Sequence, residues 1–591
     1  MTNEEGVMPQ RKKKKTRPAA QSATVLNAGP AAKLVSRKSD YEAEYRLLIA
    51  ALLTATFIWS CSPMMGFDIW WHLKTGQMIL EEHTIPFVDW FTYSDSEAAW
   101  VDLHWGFQLL AASTYAAGGV ALLVLAKAAM ITATVAIGAF ATSAKLDCCV
   151  RVGVWSLVAI VLTGRGIVRP EILSLLFLAT WLAILLRAHT RPKLLWCLPA
   201  LLVVWVNCHA LFVFGLVVFA CWVFDGALRH FADGRWGLAR LEEETAGVQQ
   251  IIVVGALLAV ACLINPYFEE GALFPLVLFR KLSVDEAFYS VRVDEFTSPA
   301  AFFGQIGLRS LHLDAAAVLW LLAAASFVWL ATFRRVSIFR SLLFVAFSYL
   351  GFKMIRNLSP AAVVSGVVLC ENLSESFGLR NRLRNANAAS ASVEPANDQT
   401  LAKEASNRRR RSIALSVVLF GLAASHFSGH WGRLTGLGDR FGLREATAWY
   451  SHDAAKFAGQ PGFPDRAIVA SFGQAAVYEF HNGPARRVLM DGRLEVCTRE
   501  TFELYESILR AMAQGDPAWQ QLPGVADAQG RLPAIILDSR SARDEINGIF
   551  QLPEWRLVFA DSAAAVFVSS ELANELGLAP ADPTPLMHPP S

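Results

Sequence analysis

The chain has 591 residues, of which 54% are hydrophobic and only 18% charged, and its mean hydropathy is +0.37. A soluble domain carries about 45–50% apolar and about 25% charged residues; here the apolar excess falls in runs near the roughly 20 residues that cross a hydrocarbon layer. A soluble enzyme, a fibre and a disordered scaffold are excluded, and a net charge of +2, segregated along the chain, points to no nucleic-acid partner.

The sequence predicts a polytopic α-helical membrane protein of about 11 spans with a small extracytoplasmic C-terminal α/β domain. Residues 1–43 are polar, carry the basic run Arg11–Lys15 and lack the apolar stretch of a cleavable signal, so they read as a disordered cytoplasmic tail. A first span, 46–65, leads outside. The segment 66–104 is too long for an ordinary helix connection, and 105–117 reads as a short helix that Gly118 and Gly119 break. Spans follow at 120–142, 152–164 and 172–188, then a hairpin of 194–207 and 210–228, then 249–264. A long outer segment, 266–312, precedes spans 313–332, 338–353 and 358–372. The transmembrane core is thus 44–372, with its first outer loop at 66–119. A basic cytoplasmic linker, 373–411, leads to the last span, 412–428. Lys145, Arg151, Arg187, Arg229, Arg235, Arg240, Arg334 and Arg335 then share one side, which orients the N-terminus to the cytoplasm.

Residues 440–575 carry β-rich runs at 466–470, 486–490, 534–538 and 564–568, and a helical spacing at 501–515. They form the outer α/β domain, followed by a Pro-rich disordered tail, 576–591. Of nine cysteines only Cys497 lies in this part, so there is no disulfide framework and no C-x-x-C metal pair.

This topology brings Asp68, His72, Asp89, Asp102, His104, Arg165, Arg169, Glu171, Asn207, His209, Glu269, Glu270, Arg356 and Asn357 to one face of the bilayer. A helix begun at Asp68 puts Asp68 and His72 one turn apart, with Trp70, Trp71, Leu73, Met78, Ile79 and Leu80 as interfacial surface. Asp68 is then either a helix cap or a carboxylate that works as a general base or holds a cation. His72 and His104 read as hydrogen-bonding histidines or metal ligands, and Asp89 and Asp102 as loop caps. The outer arginines suit phosphate oxygens as well as lipid headgroups. Lys127 should face the bundle, with no partner assignable. Asp491-Gly492 is turn chemistry or a ligand site.

Asp68, the run Trp70-Trp71-His72-Leu73, Gly76, Pro86, Asp89, Phe91, Tyr93, Trp100, His104 and Trp105 together resemble the first outer loop of GT-C membrane glycosyltransferases. The stretches 169–174, 205–215, 265–267, 356–362 and 490–496 extend the resemblance to bacterial multi-pass proteins related to that fold, over about residues 45–570. The resemblance implies a polyprenyl-phosphate-linked sugar as donor, bound at the outer leaflet of the cytoplasmic (inner) membrane, and an unknown acceptor bound with help from the outer domain. It carries the catalytic acid over to Asp68 alone. Ile69 follows where many such loops have a second acid, so a divalent cation, Mg or Mn, would need Asp102 or Glu171 beside Asp68. His72, His104, Arg165, Arg169, Glu171, Asn207, His209, Arg356 and Asn357 are the expected substrate contacts. A non-catalytic envelope or polysaccharide assembly protein on the same scaffold is the alternative. A transporter is a further one, disfavoured because the sequence has no internal repeat and no paired broken helices.

Overall fold

The computed structural model describes residues 30–96, 98–143, 145–164, 166–231, 247–306, 310–390, 398–435 and 441–587. The run Arg11–Lys15, Arg165, Arg235 and Arg240 lie outside the described residues.

Helix α1 (Pro30–Ser60) opens on a proline, whose missing N–H costs nothing at a first helical position. It therefore starts inside the stretch expected to be disordered. Helix α2 (Ile69–Glu82) follows Asp68 as predicted. Helix α3 (Trp105–Ala141) joins the predicted short helix to the second span, and non-helical angles at Gly118 and Gly119 mark the expected break. Gly119 sits at φ 58°, a conformation a side chain resists. Helices α4 (Cys148–Thr163), α5 (Glu171–Ala188), α6 (Cys197–Val206), α7 (Val213–Phe231) and α8 (Val248–Leu263) come next. The outer segment holds α9 (Phe268–Val284), α10 (Glu286–Arg292) and α11 (Pro299–Ile306), and α12 (Leu311–Thr332), α13 (Ile338–Lys353), α14 (Leu358–Ser390) and α15 (Asp398–Phe427) return to the bundle.

The protein is a mostly helical, multi-pass membrane protein. Among the described residues, six helical stretches are long and apolar enough to cross, or seven if α8 and α9, bent by 92°, count as one broken span. The expected count of about eleven also included α4, the 192–206 stretch and α13, which are apolar but shorter than these six, and 412–428 within α15, which is not among them. For α4 the apolar run has another cause: it packs among α1, α12 and α14, which cover most of it. A helix covered by protein on all sides is apolar whether or not it spans.

After α16 (His430–Thr435) and α17 (His452–Ala458) the chain forms a five-stranded sheet in the order β2-β1-β3-β5-β4. Its strands are β1 (Arg466–Val469), β2 (Arg487–Val488), β3 (Ala534–Asp538), β4 (Trp555–Ala560) and β5 (Ala564–Ser569). Strands β1, β2 and β3 pair in parallel, whereas β5 pairs antiparallel with β3 and β4. Helices α18 (Phe472–Asn482), α19 (Arg499–Ala513), α20 (Arg543–Ile549) and α21 (Ser570–Glu575) complete the domain.

Side chains alternate across a sheet, and both faces here are buried. Ala467, Val469, Ile536 and Val566 pack on one face with Trp70, Trp71 and Trp100 of the first outer loop. Ile468, Ile535, Leu537 and Phe567 pack on the other with Tyr289 and Phe296 of the outer segment. The two extramembrane loops are thus part of the domain's core. Trp70, Trp71, Leu73, Met78 and Ile79, expected at the lipid interface, are buried here instead, and only Leu80 is exposed. Gly76 permits this packing, because a Cβ there would lie 2.2 Å from the Gln108 carbonyl oxygen on α3.

Candidate active site

Asp68 occupies the residue before α2, yet its side chain makes no capping bond. Its Oδ2 lies 2.8 Å from Nη2 of Arg169, in the turn that starts α5. The other terminal nitrogen of Arg169 bonds Glu295, from the outer segment between α10 and α11. One guanidinium thus bridges two carboxylates from separate segments, the fork geometry that lysine lacks. Arg356, just before α14, adds positive charge near Asp68, and its guanidinium lies 5.4 Å from the Phe296 ring centre. From the sheet domain, Gly492 comes close enough that a Cβ would lie 3.8 Å from Asp68 Oδ1. Burial raises the Asp68 pKa above the ordinary carboxylate value, with Arg169 and Arg356 opposing and Glu295 and Asp491 adding to the rise. Burial also works against the charge of Arg169, but Asp68, Glu295 and Glu171 outweigh it and hold the guanidinium protonated.

A histidine cluster borders this cleft. The His104 ring lies 5.5 Å from that of His72 and 5.4 Å from that of His209. His104 Nδ1 is 3.4 Å from Asp102 Oδ1, which also accepts the His104 backbone N–H at 3.0 Å. Burial depresses the His104 pKa, but Asp102, with Glu495 and Asp68 further off, raises it overall. Burial, reinforced by His104, drives His72 and His209 well below the usual imidazole value. The indole N–H of Trp205 donates to Ser174 Oγ at 2.8 Å, and Ser174 Oγ lies 2.8 Å from His209 Nδ1. Within the cluster the surroundings thus favour the proton on His104 and disfavour it on His72 and His209.

Other predicted residues are placed differently. Asn207 accepts from the Trp105 indole at 2.9 Å and donates to the carbonyls of Val203 and Ile264 at 2.8 and 2.7 Å, tying three helix ends together. Asn357 donates to the Leu350 carbonyl at 3.1 Å. Glu171 is buried beside Arg169 at a small cavity that Ser359 also lines. Glu269 and Glu270 lie in the first turn of α9, exposed. Lys127, left without a partner by the sequence, donates to the Gly166 carbonyl at 2.6 Å and to Ser62 Oγ at 3.3 Å.

The sequence reading missed Glu295, Glu495 and a buried ionic cluster. Arg493 Nη2 lies 2.5 Å from Asp89 Oδ1 and 2.5 Å from Asp491 Oδ2, and its Nε donates to Asp491 at 2.8 Å. Its guanidinium also lies over the Trp100 ring at 4.4 Å. Asp89 caps its own turn, accepting from the N–H groups of Phe91 and Thr92 at 3.0 and 2.9 Å, as well as binding Arg493. Burial raises the pKa of Glu479 beside them well above the usual value, and the Asp491 charge adds to this. The motif at 490–496 therefore fastens the domain to the first outer loop through Asp491 and Arg493, and brings Gly492 and Glu495 to the cleft.

No protein-family model and no curated protein matches the sequence. The archaeal oligosaccharyltransferase of Archaeoglobus fulgidus, solved tethered to an acceptor peptide, matches at TM-score 0.52 and 12% identity, over 89% of this chain and 74% of that one. Its complex with an inhibitory peptide and a dolichol-phosphate gives the same figures. The chain has the fold of the GT-C glycosyltransferases. ArnT of Cupriavidus metallidurans, bound to undecaprenyl phosphate, aligns over 89% of this chain and 98% of that one at 13% identity, with a TM-score of 0.44 that adds nothing to the fold assignment.

On this GT-C fold the expected divalent cation can be tested against the side chains. Between Asp68 and Glu295, where a shared cation would sit, lies the Arg169 guanidinium. Asp102 turns to His104 and is fully buried. Asp68 and Glu295, and Asp68 and Asp102, therefore do not form a two-carboxylate cation site. Among the described residues, the one group of three donors close enough to share an ion is Asp147, Cys148 and Cys149, at the opposite end of α4 from Arg169.

Proposed function

We propose that the protein is a membrane glycosyltransferase that moves a sugar from a polyprenyl-phosphate donor to an acceptor at the outer face of the cytoplasmic membrane, with Asp68 as general base. The observation that carries this reading is the Asp68 carboxylate, free of any capping bond and open to the cleft beside Arg169 and Arg356. The acceptor hydroxyl oxygen bonds to the anomeric carbon as the bond from that carbon to the phosphate oxygen breaks. Asp68 takes the hydroxyl proton, and the raised pKa suits that role. The polyprenyl phosphate leaves with the bonding electrons, facing Arg169 and Arg356, whose charges stabilise it in place, and His104, whose raised pKa favours the protonated ring. No step runs through a metal ion. The dolichol-phosphate held by the archaeal oligosaccharyltransferase supports the donor class. The cleft is shared by the first outer loop, the outer segment and the sheet domain, which supports a topology with these three outside and the N-terminus in the cytoplasm.

The test is Asp68→Asn in membranes supplied with radiolabelled polyprenyl-phosphate sugars. Transfer to product is lost while the melting midpoint in detergent stays at the wild-type value. A variant that transfers at the full rate removes Asp68 from the mechanism.

A further inference from the structure

A second feature lies in the half of the bundle remote from Asp68. There α4, α12 and α14 leave a groove of about 440 Å³. Its walls are Val154 and Leu157 of α4, Leu322 and Trp329 of α12, and Leu369 and Leu373 of α14. The lining on α4 is mostly in its N-terminal half, away from the end that leads to Arg169, and the lining on α14 begins at Leu369, 13 residues past Arg356 and about 20 Å along the helix. Gly153 also lines it, and a Cβ there would meet nothing within 4 Å. Leu322 and Trp329 are exposed, so the groove lies on the outer surface of the bundle.

Its mouth is basic. Arg380 follows Ser376, a lining residue, by one helical turn on the same face of α14, a rise of about 6 Å. Arg334 and Arg335 follow the end of α12, just past the exposed Trp329. All three arginines are exposed, and none makes an ion pair among the described residues. Neighbouring Arg340, by contrast, is paired with Glu375. An apolar groove in a bilayer gains little by exchanging one acyl chain for another, because lipid tails are as apolar as its walls. Selectivity must therefore come from the headgroup, and three unpaired guanidiniums favour a negative one.

We propose that this groove binds an anionic phospholipid of the surrounding bilayer, with an acyl chain between α4, α12 and α14 and its phosphate against Arg334, Arg335 and Arg380. The site is independent of the transfer chemistry at Asp68.

Native mass spectrometry of the full-length protein in detergent tests it, with phosphatidylglycerol and phosphatidylcholine of identical acyl chains as probes. The wild type retains phosphatidylglycerol about five-fold or more over phosphatidylcholine, of the order expected for at least one arginine contact. Gly153→Leu fills the groove and lowers phosphatidylglycerol retention several-fold. The triple change Arg334→Gln, Arg335→Gln, Arg380→Gln brings the two lipids to equal retention. If Gly153→Leu lowers the melting midpoint, Ala325→Leu blocks the groove from the opposite wall and is read in its place. Equal retention of both lipids by the wild type overturns the proposal, as does phosphatidylglycerol retention that neither the filling variant nor the triple change alters.

Discussion

Two sites in this molecule are built from the same parts, an arginine between carboxylates from separate segments, and they differ in exposure. At the cleft the side chains of Arg169, Asp68 and Glu295 are 21%, 33% and 26% exposed. At the domain junction those of Arg493, Asp89 and Asp491 are all 0% exposed. A charge pair closed off from water is locked, because separating it strands a charge in a poor dielectric. The same pair where water still reaches it can exchange one partner for a substrate group at smaller cost. Burial assigns the two roles: the junction joins the sheet domain to the first loop, and the cleft stays available for chemistry.

The largest effect is expected where the locked pair is broken. Arg493→Met leaves Asp89 and Asp491 buried without their cation, at a cost of about 3–5 kcal/mol. The readout is the melting midpoint in detergent, and a midpoint within error of wild type would mean the junction holds nothing together. A smaller effect is expected at the open pair. Arg169→Lys keeps the charge but cannot bridge both acids, and losing one charged hydrogen bond, about 1.5–3 kcal/mol, lowers transfer roughly 10- to 100-fold with little change in the midpoint. If Arg169→Lys instead destabilises the fold as much as Arg493→Met, the contrast between the two sites fails.

The histidine cluster between them gives a smaller, pH-dependent effect. His104 has a raised pKa in the fold, with Asp102 as its partner, so its contribution is complete below the ordinary imidazole value of 6.5 and is lost as pH rises through the folded value. His72 and His209 are depressed by burial and act in the opposite sense, destabilising the fold as pH falls below 6.5. The contribution of these three histidines to the melting midpoint is therefore greatest near pH 6.5 and falls away on either side. His104→Asn should remove the decline on the alkaline side and leave the acid side. A wild-type profile without an alkaline decline would show that Asp102 does not hold the His104 proton.

Much of this architecture was legible because apolar length and period are local properties. The run at 338–353 is α13 to the residue, Gly118-Gly119 breaks α3, the runs at 466–470 and 534–538 hold β1 and β3, and 564–568 is β5 but for its last residue. Strand β4 was missed because Arg556 interrupts its apolar run and a bulge between Leu557 and Phe559 spoils its alternation. The aromatic face of α2 was placed at lipid because an indole is equally suited to a lipid interface and a protein core; the sheet domain, hundreds of residues away in sequence, decides between them. Glu295 lies in a segment whose chemistry depends on Arg169, 126 residues earlier. No spacing rule reaches that far, whereas Asp68 stood out because it directly follows a span.

The smallest expected effect tests how closely the locked site serves the open one. Gly492 lies between Asp491 and Arg493, so the junction fixes its backbone beside Asp68. A methyl group there would stand 3.8 Å from Asp68 Oδ1, an ordinary van der Waals contact, and the backbone is not in the left-handed region. Gly492→Ala should therefore change stability by less than about 0.5 kcal/mol and leave transfer near the wild-type rate. Gly492→Leu adds three more carbons in the same direction, into the space above the carboxylate that an acceptor hydroxyl must enter. It should suppress transfer while the melting midpoint holds, since the fastening residues on either side are untouched. If Gly492→Leu transfers normally, the acceptor reaches Asp68 from another side and the sheet domain does not roof the cleft. If it unfolds the protein, the turn belongs to the junction alone.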